Sequence, residues 1–152
     1  MKKSMPLFFV LCPLLMMCQQ AEKPEVSFVS HEEFRKANLP FSEAVIVGNM
    51  IYLSGQVGST LERPMVLVGG GIKSEAGQAL ENIKRVLEEN GASMENVVKC
   101  TVMLADINEW ADFNAEYIKY FPGDKPARSA FATNGLALGA RVEIECIAVM
   151  KK

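Results

Sequence analysis

Histidine is nearly missing from this chain: His31 is the only one in 152 residues. A Ser-His-Asp triad or an imidazole-built zinc site therefore has almost nothing to work with, and His31 itself is expected at the surface ahead of the first strand. Charge of one sign is missing too. The net charge is −2 and acids and bases interleave without a like-charged run, so the basic face of a nucleic-acid binder is not expected. The glycine cluster Gly69-Gly70-Gly71 lacks the Lys-Ser/Thr of a phosphate loop and reads as flexible backbone. Cys100 and Cys146 have no Cys-x-x-Cys or His-rich neighbourhood, which leaves metal binding without support. No cofactor is called for.

Long apolar runs are absent as well. Met5 to Met17, interrupted by Pro6 and Pro13, falls short of the roughly 20 residues that a bilayer requires. With Lys2 and Lys3 before it, the run has the length of a signal-peptide core, and residues 1–18 are expected to direct export. Leu15-Met16-Met17-Cys18 resembles a bacterial lipobox, in which Cys18 would become the lipidated N-terminus; Met17 departs from the small residue usual there. Residues 19–37 read as a polar tether and lead-in, and 38–152 as the folded domain. The expected location is the cell envelope or periplasm, with membrane contact only through a lipid on Cys18. Cys12 and Cys18 belong to the signal, leaving Cys100 and Cys146 in the domain. An exported pair could bridge, whereas their apolar strand-like settings suit buried free thiols; the sequence leaves that open.

What is present is a readable order of elements. Glu43 to Val47 and Met50 to Val57 are β-type runs joined by Gly48-Asn49, a hairpin signal, with Ser54-Gly55 interrupting the second. Ser59 to Gly71 reads as a loop. Ser74 to Asn90 predicts a helix with its stripe on Ala76, Leu80, Ile83 and Leu87, Ser74 as N-cap and Asn90-Gly91 as stop. Val97 to Leu104 is a strand. Asp106 with Glu109 starts a second helix in capping-box fashion, with its stripe on Trp110, Phe113, Tyr117 and Phe121. Strands near Ser129 to Thr133 and Arg141 to Met150 complete an α+β domain of order β-β-α-β-α-β-β, a mixed sheet with two helices on one face. The run from Val97 to Leu104 is apolar on both sides, so the uncovered face predicts a homo-oligomer.

Chemistry-bearing residues stand out at a few positions. Arg128, in Pro126-Ala127-Arg128-Ser129 at the mouth of a strand, presents a guanidinium fork suited to a carboxylate. Glu143 and Glu145 share one face of the last strand, where a carboxylate is either solvated, interfacial or able to polarise a water as general base. Asn114 lies on the aromatic side of the second helix.

Together these pieces resemble the RidA (YjgF) family from about Asn38 to Met150. The resemblance is carried by Leu39-Pro40-Phe41-Ser42-Glu43-Ala44, Tyr52-Leu53-Ser54-Gly55-Gln56, Asn82 to Leu87, Val97 to Val102, Phe113-Asn114, Pro126 to Ser129 and Gly139 to Glu145. It implies a chorismate-mutase-like homotrimer with clefts between subunits, and hydrolysis of small imino or enamine acids to 2-keto acids and ammonia. It further implies that Arg128 binds the substrate carboxylate, that Glu143 activates water, and that Ser54, Gly55 and Asn114 lie near the cleft. Phe41 stands where the family usually has Tyr, Glu43 where it has Gln, adding a charge near the cleft entrance, and Ala130 where only a backbone role carries over. Two other readings stay open: a non-catalytic module that holds small carboxylates or keto acids, and a structural trimer in the cell envelope.

Overall fold

The computed structural model describes residues 23–151. The expected signal, with Cys12 and Cys18, and the beginning of the tether lie outside the described residues. Alternation builds the sheet. Along β7 (Val97–Leu104) and β9 (Val142–Val149), Cys100, Val102, Leu104, Val142, Ile144, Cys146 and Ala148 are each at most 1% exposed. The residues between them, among them Val98, Thr101, Met103, Glu143, Glu145 and Ile147, point to the other face.

The sheet begins with β1 (Val26–Val29), β2 (Ala44–Val47) and β3 (Met50–Leu53), and continues through β9 and β7 to β8 (Ala127–Ala132). A short β4 (Gln56–Val57) extends the β3 side along β9. Only β7 and β8 run parallel among these pairs, so the sheet is mixed as the sequence predicts. β3 and β4 are separated at Ser54-Gly55, where the sequence places the interruption.

α2 (Ile72–Glu89) and α3 (Trp110–Tyr117) cover one face. The stripe of α2 (Ala76, Leu80, Ile83 and Leu87, widened by Ala79 and Val86) is at most 1% exposed. Burying each of the large members contributes about 1.5–3 kcal/mol. Gly91 ends the helix with φ +77°, a left-handed conformation that favours glycine, and Asn90 donates to the Val86 carbonyl at 2.7 Å. The start differs from expectation. Gly71 is the N-cap, Ile72 opens the helix, and Ser74 falls inside the first turn. In α3, Phe113 and Tyr117 turn inward, with Phe121 just beyond, and their rings stack in sequence at 5.5 and 4.7 Å. Asp106 does cap, accepting from the Asn108 N–H, but Glu109 does not close the box; it grips Arg141 with both oxygens instead.

Four elements lie outside the order expected from sequence. The lead-in carries β1 and a short α1 (Glu32–Lys36), and Ser59 to Gly71 is not simply a loop: β5 (Ser59–Thr60) and β6 (Arg63–Leu67) pair as a separate hairpin. Pro64 hid β6, because proline is tolerated only at such edges. No helix among the described residues is long and apolar enough to cross a membrane.

Candidate active site

Glu143 sits on β9 opposite Val57 and Met103, on the sheet face that the helices leave open. Its carboxylate rests against Gly55. A Cβ at that position would fall on the carboxylate itself, so the strand interruption is where backbone and acid meet. The recess around them has a volume of about 190 Å³ and is walled by Phe34, Leu39, Phe41, Pro64, Met65 and Leu138. Burial in these apolar surroundings, with the Glu145 charge as a smaller contribution, raises the Glu143 carboxyl above its ordinary value. A carboxylate so placed is a better proton acceptor than one in open water. Leu138, on the rim, holds φ +60°, a left-handed conformation uncommon for a branched residue.

Arg128 belongs to a second recess. Its guanidinium carbon lies 4.7 Å from the Tyr117 ring centre, 5.4 Å from Trp110 and 5.7 Å from Phe113. The α3 stripe thus does two things: it seals the core and supplies an aromatic bed against which the planar fork of Arg128 rests. Asn114, Tyr117, Ile118, Phe121, Lys125 and Pro126 line the remaining surface, a pocket of about 330 Å³. The Tyr117 hydroxyl is buried without a hydrogen-bond partner.

The two recesses face opposite ways. Arg128 is the β8 partner of Cys100, which turns toward the helices, whereas Glu143 pairs with Met103, three residues further along β7 and on the other face. Within one chain the structure joins Arg128 with Asn114, and Glu143 with Gly55 and Phe41, and keeps the two groups apart. Ser54 lies beside the second group, but its hydroxyl donates to the Ser42 carbonyl at 2.7 Å. Ala130 turns with Arg128 toward the core and lines neither recess.

Glu43 is not at a cleft entrance. It is 0% exposed, accepts from Arg85 at 2.6 Å and from the His31 backbone N–H at 2.6 Å, and has His31 Nδ1 3.0 Å from its carboxylate. Burial pulls its carboxyl upward, but the Arg85 and His31 contacts outweigh it and hold the group below its ordinary value. His31 is therefore a half-buried anchor for the lead-in, not a free surface residue. Nothing in the sequence pairs Glu43 with Arg85, 42 residues away. Glu75, also buried, accepts the Arg141 N–H at 2.8 Å and ties α2 to the start of β9. The apolar walls around Glu143 are equally invisible in the sequence, since Phe34 comes from α1, Met65 from β6 and Leu138 from the turn before β9. Among the described residues, no three His, Cys, Asp or Glu side chains stand together as metal ligands would.

Comparison with known proteins places this geometry among relatives. The profile of the family described as endoribonuclease L-PSP matches residues 32–150. A 2-iminobutanoate/2-iminopropanoate deaminase from Bos taurus is 48% identical over 110 residues, covering 72% of this chain and 80% of that protein. The chloroplastic Reactive Intermediate Deaminase A of Arabidopsis thaliana is 36% identical over 138 residues, covering 91% of this chain and 73% of its own length. The crystal structure of RidA from an Antarctic Psychrobacter superposes with a TM-score of 0.71 at 35% identity, covering 86% of this chain and all of that one.

Proposed function

The chain belongs to the endoribonuclease L-PSP family, the RidA (YjgF) family, and from that premise we propose that it is a hydrolase acting on the C–N bond of small 2-imino acids, releasing a 2-keto acid and ammonia. The observation that carries this reading is the Glu143 carboxyl, raised by burial in an apolar recess and backed by the Gly55 backbone. Arg128 binds the substrate carboxylate with two parallel N–H donors and fixes the position of C2. A water held by Glu143 attacks that carbon. Its proton passes to the glutamate as the C–O bond forms and the C=N π pair moves to nitrogen. Glu143 returns that proton to nitrogen, giving a carbinolamine, then takes the hydroxyl proton and passes it to the amine, so that the C–N bond breaks, ammonia leaves and the carbonyl closes. An enamine substrate enters after tautomerising to the imine.

Because Arg128 and Glu143 face opposite ways in one chain, the reaction requires Arg128 of one subunit to approach Glu143 of another. A homotrimer with sites between subunits supplies this, and the exposed apolar side chains of the open face, Tyr52, Val98 and Phe131, support such an assembly. Export with a lipid at Cys18 remains part of the proposal; mass spectrometry of the native N-terminus tests it, and an intact Met1 would refute it. The family description names an endoribonuclease. RNA cleavage is the weaker reading here, since the chain carries a net charge of −2 and its one histidine is bound to Glu43.

The test uses two variants. Glu143→Gln keeps size and polarity but cannot accept the proton, so hydrolysis of a freshly generated 2-imino acid falls by about two orders of magnitude or more while keto-acid binding survives. Arg128→Lys loses the fork and weakens keto-acid binding. Full turnover by Glu143→Gln would end the proposed mechanism. Keto-acid binding by the parent with no turnover would establish a binding module.

A further inference from the structure

Cys100 and Cys146 are direct partners across the antiparallel pair β7–β9, and their Sγ atoms stand 2.7 Å apart in the core. The thiols are free in this structure. Direct partners on antiparallel strands have Cα atoms about 4.5 or 5.5 Å apart, and both separations lie inside the range that a disulfide spans. No backbone movement is needed to join them. Their surroundings are dry: Cys100 is 0% exposed and Cys146 1%.

We infer that Cys100 and Cys146 form a redox site, closing to a cross-strand disulfide when the chain folds in the presence of an oxidising disulfide. The step is thiol–disulfide exchange. The thiolate of one cysteine attacks one sulfur of the oxidant, forms a mixed disulfide and releases the first oxidant thiolate. The other thiol then gives up its proton and displaces the second from the mixed disulfide, so the chain loses two hydrogens and the oxidant disulfide becomes two thiols. In the folded core each thiol lies within hydrogen-bond reach of the other. The sealed core restricts exchange to the folding chain or to local opening.

The bond would staple the two central strands across a loop that separates cysteines 46 positions apart. It lies one strand from Arg128, which pairs with Cys100 on β8, so it also stiffens the floor of the carboxylate recess.

The experiment refolds the full chain from denaturant in a buffer of oxidised and reduced glutathione, and in parallel under dithiothreitol. After acid quench, unfolding and alkylation, peptide mass mapping reads the cysteine links. The expected result is one crosslinked peptide joining Cys100 to Cys146 in the oxidised sample and none in the reduced one. Thermal unfolding of the oxidised form should lie above the reduced form by roughly 5–15 °C, a difference that vanishes in Cys100→Ala. Both cysteines recovered fully alkylated after oxidative refolding would overturn the proposal. So would links made only to glutathione or to another chain. The mapping is done on the parent protein, so the outcome stands even if Cys100→Ala folds poorly.

Discussion

The two faces of the sheet are made from the same strands by the same alternation, yet they are finished differently. On the helix side the chain closes its own core, and Ile51, Val102, Ile144 and Ala148 are fully buried. On the open side Tyr52, Val98 and Phe131 are each more than 40% exposed, with Glu143, Glu145 and the Lys99–Ser129 contact set among them. The closed face holds the fold. The open face leaves these apolar side chains exposed, and it carries Glu143, the acid of the proposed site. Arg128 reaches out at the edge of the closed face, so the proposed site would combine a binding group borne by the well-packed layer with a catalytic group borne by the open one.

The sharpest challenge to this contrast is Phe113→Ala. Phe113 is 0% exposed, joins the α3 stripe and lies under Arg128. Its removal is expected to cost about 3–5 kcal/mol of stability by denaturant unfolding. A loss below about 1 kcal/mol would mean that the closed face is not the stabilising one.

Glu43→Gln is expected to cost about 1.5–3 kcal/mol at neutral pH, through loss of its charged bonds to Arg85 and His31. The pH dependence separates this from simple cavity formation. The carboxyl is held below its ordinary value of 4.5 in the folded protein. Its stabilisation is therefore complete above that value and is lost as pH falls through the lower folded one. Parent and variant curves should converge in acid; a constant gap down to strongly acidic pH would contradict the ion-pair account.

Val98→Glu, on the open face, should change monomer stability by about 1 kcal/mol or less, because Val98 is 46% exposed. Sedimentation should nonetheless shift to smaller species, and turnover should fall with it. An unchanged oligomer would show that Val98 lies outside the association surface.

Much of this contrast could be read from the sequence. Period-two alternation in Val142 to Val149 and the helical stripe from Ala76 to Leu87 are local patterns, and they placed the central strands, both helices and the covered face. Local pattern also flagged Ser54-Gly55, where the backbone meets Glu143. Long-range pairing is where local reading failed. Glu43 looked like an added surface charge because its partner Arg85 is on α2, and His31 looked free for the same reason. The β5–β6 hairpin was masked by Pro64, and Ser74 by a helix that starts earlier at Ile72 on a glycine cap. Arg128 and Glu143 were both singled out by type and position, but their placement on opposite faces depends on strand register across β8, β7 and β9, which no window of sequence contains.

The central claim is that one site takes Arg128 from one chain and Glu143 from another, and mixing two inactive variants tests it most directly. Arg128→Ala and Glu143→Gln chains are purified, unfolded together, refolded and assayed for ammonia release from a 2-imino acid. Each variant alone is expected to be inactive. In random mixed assemblies of a cyclic trimer, about a quarter of the sites receive an intact Arg128 and an intact Glu143 from different chains, so activity should return to about that fraction of the parent. If the mixture stays as inactive as its components while the co-refolded oligomers demonstrably contain both chains, the shared site is contradicted.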